Sequence, residues 1–416
     1  MKSFLSCLVL AGSAAVLAPS TAVACGGCFA PPGAIQVVTD HRMALSLSAT
    51  QTILWDQFRY SGQPSDFSWI LPIHDGPDVH IDVANNAFLT ALDNLSAPVL
   101  NAPQRPNCNV TDDSAFAGAS RTTPTSAAAD AGVSVLQEQV VGPYMTVVLR
   151  SGDPTALRTW LTDNGYSVPA AINPVLDYYV SQNMDFVALK LRMGEGIERM
   201  TPIRVTTPGM NPTLPLRMIS AGVADKVGLV LLVLAAGRYE AMNFPNGAVT
   251  SAMLSYDFNA PTVPSEDFQH AFDRLNTQNG TRLWITESSE PVSMYTVQAA
   301  SSGRGTPLGG GTIATDDAMV AFAGIGQNAT LTRLRADLGS SALDRDLQLQ
   351  ASDLGMQDRN YTYGHIANAP APCGWEAGPR ANFLGCSTAP GAGTSTGSAF
   401  IAGLAGLAMA ARRRRR

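Results

Sequence analysis

Met43, Leu45 and Leu47 alternate with Ser46 and Ser48, the two-residue period of a strand that buries one face. Two more strand-like runs follow, Ile53 to Tyr60 and Asp66 to Ile73, with the turn-forming Ser61-Gly62-Gln63-Pro64 between them and Pro72 marking the end of the second. Together the three predict an antiparallel meander. At Ile81, Ala84, Phe88, Leu92 and Leu95 the spacing changes to that of an amphipathic helix. Strands are predicted again in Val133 to Gln139 and Tyr144 to Arg150. Asp153-Pro154 then predicts a helix start, because a carboxylate caps free amides and Pro occupies a position that needs no N–H. Leu157, Trp160 and Leu161 form the buried face of this helix, and Asn164-Gly165 ends it. Asn173-Pro174 predicts the same device for a helix that buries Leu176, Tyr179 and Val180.

Val187, Leu189, Leu191 and Met193 alternate with Lys190 and Arg192 as a half-buried strand, and the apolar run Gly228 to Ala236 has the length of a strand at a sheet centre. A helix from Ser265 to about Gln278 and a strand from Arg282 to Thr286 come next. Leu331, Leu334 and Leu338 predict one more helix ended by Gly339, before a short alternating run at Leu347 and Leu349. Strands and helices mix without strict βαβ alternation, which predicts an α+β fold: a mixed, largely antiparallel sheet with packed helices. Two stretches lack any period. Residues 111–132 are rich in Ser, Thr, Ala and Asp and read as a flexible surface insertion, and 299–313 is a Gly/Ser-rich linker. The expected organisation is a leader over 1–24, a main domain over 25–298, an extension over 314–385 and a tail over 386–416.

With 416 residues and 45% apolar content the chain can bury a real core. Its net charge of −6 hides an asymmetry, because Lys2 and Arg412, Arg413, Arg414, Arg415 and Arg416 lie in terminal segments without acidic residues. Removing those six leaves 21 basic against 33 acidic side chains, a net of −12 for the body. Such a body repels phosphate backbones and anionic lipid, which argues against nucleic-acid and peripheral membrane binding.

The N-terminal segment reads as a secretory leader: Lys2, an apolar stretch from Phe4 to Leu17, a break at Pro19-Ser20, and Ala22-Val23-Ala24 before the cut. Cleavage after Ala24 by signal peptidase exposes Cys25, where a lipoprotein reading competes; Ala22 weakens it, since the residue three before a lipidated Cys is usually a larger aliphatic. From Ala389 to Ala411 there are 23 residues without a charge, followed by the five arginines. That length can cross about 30 Å of hydrocarbon as a single transmembrane helix, and the arginine cluster keeps its end cytoplasmic, placing residues 25 to about 390 outside. Gly385-Cys386-Ser387, a Gly/Ser/Thr spacer, a short apolar helix and a terminal Arg run together resemble the myxobacterial C-terminal sorting signal. That resemblance implies cutting near Cys386 by an intramembrane sorting protease and passage toward the cell surface.

Few residues carry candidate chemistry. Cys25-Gly26-Gly27-Cys28 has thiol-exchange spacing, but the pair sits at the mature end before Pro31-Pro32, where no helix N-terminus is predicted to lower a thiol pKa. With Cys386 set aside as a processing or lipidation site, Cys25, Cys28, Cys108 and Cys373 allow three pairings, of which Cys25 with Cys28 and Cys108 with Cys373 is preferred. His74, Asp75, Asp78 and His80 cluster in a Pro/Gly-broken loop without the spacing of a metal site, and His41, His270 and His365 are isolated. The string Gly393-Thr394-Ser395-Thr396-Gly397 mimics a nucleophile elbow but has no strand to present its serine.

Several segments resemble the exported bacterial proteins grouped as domain of unknown function 2330. They are Cys25-Gly26-Gly27, Gly62 to Pro72 with Asp66-Phe67-Ser68-Trp69, Trp160 to Pro169 with Asn164-Gly165-Tyr166, Tyr179 to Leu191 with Phe186-Val187-Ala188-Leu189-Lys190, and Leu214-Pro215-Leu216-Arg217. The resemblance implies no site chemistry, and the residues themselves are core aromatics and turn formers. The expectation is a membrane-held, exported, non-catalytic binding or structural protein that needs no cofactor or metal. The rival is an exported enzyme, either a thiol-disulfide oxidoreductase using Cys25 and Cys28 or a metal-dependent hydrolase using the His74 to His80 loop.

Overall fold

The computed structural model describes residues 28–29, 41–57, 63–105, 133–223, 225–260, 264–302 and 311–370. The leader with Ala24, the 111–132 insertion, Cys25, Cys108, Cys373, Cys386 and the tail with its arginines lie outside them. Among the described residues no helix is long and apolar enough to cross a membrane.

The strands that form the two large sheets are β1 (Cys28–Phe29), β2 (His41–Leu47), β3 (Gln51–Gln57), β4 (Ser68–Ile73), β5 (His80–Val83), β6 (Ser134–Val141), β7 (Tyr144–Arg150), β8 (Asp185–Leu191), β9 (Ile203–Pro208), β10 (Lys226–Ala235), β11 (Asn246–Gly247), β12 (Trp284–Ser293) and β13 (Asn328–Gly339). The helices are α1 (Asn86–Ser96), α2 (Pro154–Asp163), α3 (Asn173–Ser181), α4 (Pro264–Gln278), α5 (Met294–Ser301) and α6 (Gly311–Phe322). The larger sheet runs β11-β12-β13-β10-β2-β3-β9-β5 and the smaller β1-β4-β8-β7-β6. Neighbours are antiparallel except β10 beside β2 and β11 beside β12, so the fold is α+β with mixed, mostly antiparallel sheets.

The two sheets pack face to face, with Met43, Leu45, Leu231, Val233 and Leu334 of the larger meeting Trp69, Leu71, Val187 and Leu189 of the smaller in one core. On the outer face of the larger sheet, Ile53, Trp55, Leu232 and Leu234 meet Phe88, Leu92, Val297 and Phe322 from α1, α5 and α6. On the outer face of the smaller sheet, Val147, Leu149 and Phe186 pack on Leu157, Leu161 and Leu176 from α2 and α3. α4 covers a separate part of the larger sheet's outer face, where Phe268 and Phe272 lie against Ile285. The result is a helix–sheet–sheet–helix stack, in which β10 is buried on both faces along most of its length and for that reason reads as a continuous apolar run.

Five local expectations need correcting. β2 and β3 pair as predicted, but β4 crosses to the smaller sheet instead of completing a meander. Pro72 lies inside β4, opposite Phe186, and among the described residues β1 pairs only with Ser68 and Trp69 on the other edge of β4. Ile81 belongs to β5, and α1 starts at Asn86 with Asn85 as its cap, the Asn85 side chain accepting from the Ala87 amide. Leu331, Leu334 and Leu338, expected on a helix ended by Gly339, lie in the twelve-residue strand β13 between β10 and β12. The chain after the Gly/Ser-rich stretch is therefore woven into the same sheet as the chain before it. Asp153 does cap α2, accepting from the Thr155 amide at 2.8 Å, and Gly165 ends that helix with a φ of 75°. Asn173, by contrast, is the first helical residue of α3 and caps nothing, because a 3-10 turn over Ala170–Ile172 leads into it.

Candidate functional site

His74, Asp75, Asp78 and His80 are all exposed around a 3-10 turn, and among the described residues no group of three or more His, Cys, Asp or Glu is placed to hold a metal. Cys28 stands in β1 opposite Trp69, while its sequence partner Cys25 lies outside the described residues. His270 and His365 are exposed. His41 is not isolated: it is buried at the start of β2 and paired through Nε2 with Asp56, while its Nδ1 has no hydrogen-bond partner among the described residues.

The described parts of the segments that carry the family resemblance meet at the smaller sheet. Ser68 Oγ accepts from the Ser167 amide, and Lys190 donates from Nζ to the Asn164 carbonyl at the C-terminus of α2. Lys190 also lies 4.8 Å from the centre of the Tyr166 ring, and burial lowers its pKa. Tyr179 donates to Asp346 at 2.5 Å, Asp346 accepts the Arg217 amide, and the Arg217 guanidinium covers Tyr178 at 4.1 Å. Each of these polar groups is engaged in fixing a helix end or a loop, so the corner is a fold signature and its lysine is a helix cap.

Two charged networks lie on the outer face of the larger sheet. In the first, Asp317 of α6 is fully buried and its carboxylate accepts from Trp55 Nε1 at 3.0 Å, Arg204 Nη1 at 2.6 Å and the Asn85 amide at 2.9 Å. Arg204 also donates from Nη2 to the more exposed Asp82 at 2.7 Å. Burial raises the Asp317 pKa despite these donors. The network ties α6 and the start of α1 to β3 and β9, and none of its residues lines the cleft over β10.

The second network does. At the β12–β13 pairing the register slips between Thr286 and Ser288, and this bulge sets Glu287 behind β13 with its side chain almost fully buried. Glu287 accepts from Arg333 Nε at 2.5 Å and lies 3.6 Å from Arg335 Nη1. Arg333 also pairs with Asp93 of α1, which accepts from Arg42 Nη1 at 2.8 Å. At the other end Asp337 is 3.9 Å from Arg335 and 3.8 Å from Lys226. The order is Arg42, Asp93, Arg333, Glu287, Arg335, Asp337, Lys226: one chain of alternating sign with a cation at each end. Burial alone would lower the Arg333 pKa, but the Glu287 and Asp93 carboxylates outweigh it and raise it.

This chain borders a cleft of about 290 Å³ whose floor is β10 at Gly228 to Val230. Further along the same face β10 is covered by α5 and α6; at Gly228 and Val230, with Asp93 on one side and Arg335 lying over the Phe272 ring of α4 on the other, it is only half-buried. A central strand of an eight-stranded sheet thus reaches solvent at its one glycine. Reading the sequence missed this cleft. Two signals mark it: the glycine at the start of the apolar run, and Arg333, Arg335 and Asp337 at two-residue spacing.

No curated protein and no solved structure matches the chain. The model of the bacterial family described as "Uncharacterized protein conserved in bacteria (DUF2330)" matches residues 19–342, well over half of the length, and the chain belongs to that family.

Proposed function

We propose that the protein is exported, held at the cell envelope by its C-terminal tail with the body on the outer side, and works there by binding without catalysis. The observation that carries this is the pairing of an N-terminal leader ending at Ala24 with 23 uncharged residues stopped by Arg412 to Arg416, since both ends dictate the same topology. Signal peptidase and an intramembrane sorting protease acting near Cys386 are the processing partners, with passage to the cell surface after the second cut. The binding reading draws on the cleft, whose charged groups already satisfy one another as ion pairs, an arrangement suited to orienting a ligand and poorly suited to activating a nucleophile.

The test is protease treatment of intact cells and of spheroplasts carrying the full chain, with mass spectrometry of the protected and released fragments. The reading expects the body to be digested in spheroplasts, a mature N-terminus at Cys25, and a membrane-retained or trimmed tail. Full-length protein in the soluble cytosolic fraction with Met1 or Lys2 retained would overturn it.

A further inference from the structure

Between the two sheets lies a cavity of about 20 Å³, bordered by His41 and Met43 of β2, Leu54 and Asp56 of β3, Trp69 of β4 and Met218 of the 3-10 segment Leu216–Gly222. The rest of its lining is leucine, isoleucine and proline. One water-sized occupant needs about 10–15 Å³, so the space admits a single atom and excludes a polyatomic ligand. His41 and Asp56 are 2% and 3% exposed, and among the described residues each has the other as its one ion-pair partner. An ionised Asp56 can only accept, which holds the imidazole proton on Nε2 and leaves the lone pair on Nδ1, a buried atom without a hydrogen-bond partner among the described residues. No protonation state of the pair is satisfied by the protein alone. With the ring neutral and Asp56 ionised, the carboxylate has no counter-charge; with a further proton on the pair, an Nδ1–H is left without an acceptor. Either defect is costly inside a core, and one positive charge at Nδ1 removes both.

We infer that this cavity binds one soft monovalent cation, Cu⁺, through His41 Nδ1 and the thioethers of Met43 and Met218. It goes beyond the binding reading, which draws on the charged cleft over β10, and neither depends on the other. The carboxylate behind the ring is the first argument: a metal-ligating histidine characteristically donates its second N–H to such a group, which fixes the tautomer and raises the basicity of the ligating nitrogen. The thioethers are the second. Met43 follows His41 by two residues on β2 and so shares its face, Met218 enters from another part of the chain, and both are 2% exposed. Imidazole together with thioether sulfur suits Cu⁺, whereas Mg²⁺ and Ca²⁺ require oxygen donors. Charge is the third, because one positive charge balances Asp56 and a divalent ion would leave an excess in an apolar cavity. A water would fill the same space but needs two to four polar partners, and beyond the His41–Asp56 pair and the Trp69 indole the lining side chains are apolar.

The test is anaerobic titration of the full-length protein in detergent, its thiols capped with iodoacetamide, with Cu⁺ held by the coloured chelator bicinchoninate. The protein is expected to withdraw one equivalent of copper from the chelator, and an equal concentration of Zn²⁺ should not displace it. Met43→Leu and Met218→Leu conserve volume, so each should keep a melting curve near that of wild type while weakening Cu⁺ by about tenfold or more. X-ray absorption at the copper edge of the loaded wild-type protein should show sulfur and nitrogen neighbours together, a readout that needs no variant. If one variant does not fold, the other and the copper edge decide. The inference fails if the capped protein takes no copper from the chelator, if Zn²⁺ displaces it, if the copper edge shows nitrogen and oxygen neighbours alone, or if both folded variants bind as wild type does. Such a failure leaves the envelope location and the charged cleft as they stand, and full-length protein in the cytosol would sink the location without touching the copper site.

Discussion

Replacing Asp317 by Ala tests whether α6 is fastened by charge or by apolar packing. The carboxylate is fully buried and serves three donors, so its removal strands the Trp55 indole N–H, takes the acceptor from the Asn85 amide and strips Arg204 of its closer partner. Losing one member of a buried ion pair costs about 3–5 kcal/mol, and each buried donor left unpaired about 1–3 kcal/mol. These terms overlap, because they share one carboxylate. They are also reduced by the residual pairing of Arg204 with Asp82, and by the burial that already disfavours the Asp317 charge. The expected loss is therefore near the lower end, about 3 kcal/mol. Asp82→Ala supplies the control: its side chain is 43% exposed and Arg204 keeps Asp317, so the expected loss is at most about 1 kcal/mol. Equilibrium urea denaturation followed by far-UV circular dichroism measures both. Equal midpoint shifts in the two variants, or an Asp317→Ala shift within error of wild type, would refute the account and assign the attachment of α6 to Phe322, Ala318 and their apolar neighbours.

Three other outcomes follow from the same geometry. Gly142 has a φ of +56° and an added Cβ would lie 2.4 Å from Val83 Cγ1, so Gly142→Ala should destabilise by about 2–4 kcal/mol, while Gly152→Ala, with nothing within 4 Å, should stay within about 0.5 kcal/mol in the same denaturation assay. Tyr179→Phe removes the hydroxyl donor to Asp346 but leaves Asp346 the Arg217 amide, so thermal unfolding should report a loss of about 2 kcal/mol. Burial raises the pKa of both Asp317 and Asp346 from the ordinary 3.8, so the folded state holds their protons more tightly than the unfolded chain does. This contribution favours folding below pH 3.8 and is lost as the pH rises through the folded values. Unfolding free energies measured from pH 3.5 upward should decline less steeply in Asp317→Asn and Asp346→Asn than in wild type, and parallel slopes would count against the burial argument.

What could be read from the chain is what local physics decides. The Leu/Ser alternation of β2 survives in the structure because Met43, Leu45 and Leu47 face the other sheet while Ser46 turns to the helices and donates to the Ala321 carbonyl. Asp153-Pro154 was legible because a capping carboxylate needs only amides two residues away. β13 was not. Leu331, Leu334 and Leu338 fit a helical spacing, yet Leu331 meets the helices while Leu334 and Leu338 meet the smaller sheet, and both faces are covered only because β10 and β12 flank the strand. The cleft lay further out of reach, since its charges come from β2, α1, β10, β12 and β13 and one of its carboxylates is aimed by a bulge. Yet the features that hid β13 are those that mark the cleft. Two arginines at alternate positions of a strand covered on both faces are costly unless carboxylates arrive from elsewhere in the chain. A glycine in the neighbouring strand, Gly228 opposite Asp337 and two residues from the partner of Arg335, then removes a side chain from the same face. Such a local cost, set beside a missing side chain, is how a polar cleft over the middle of a sheet announces itself in a single sequence.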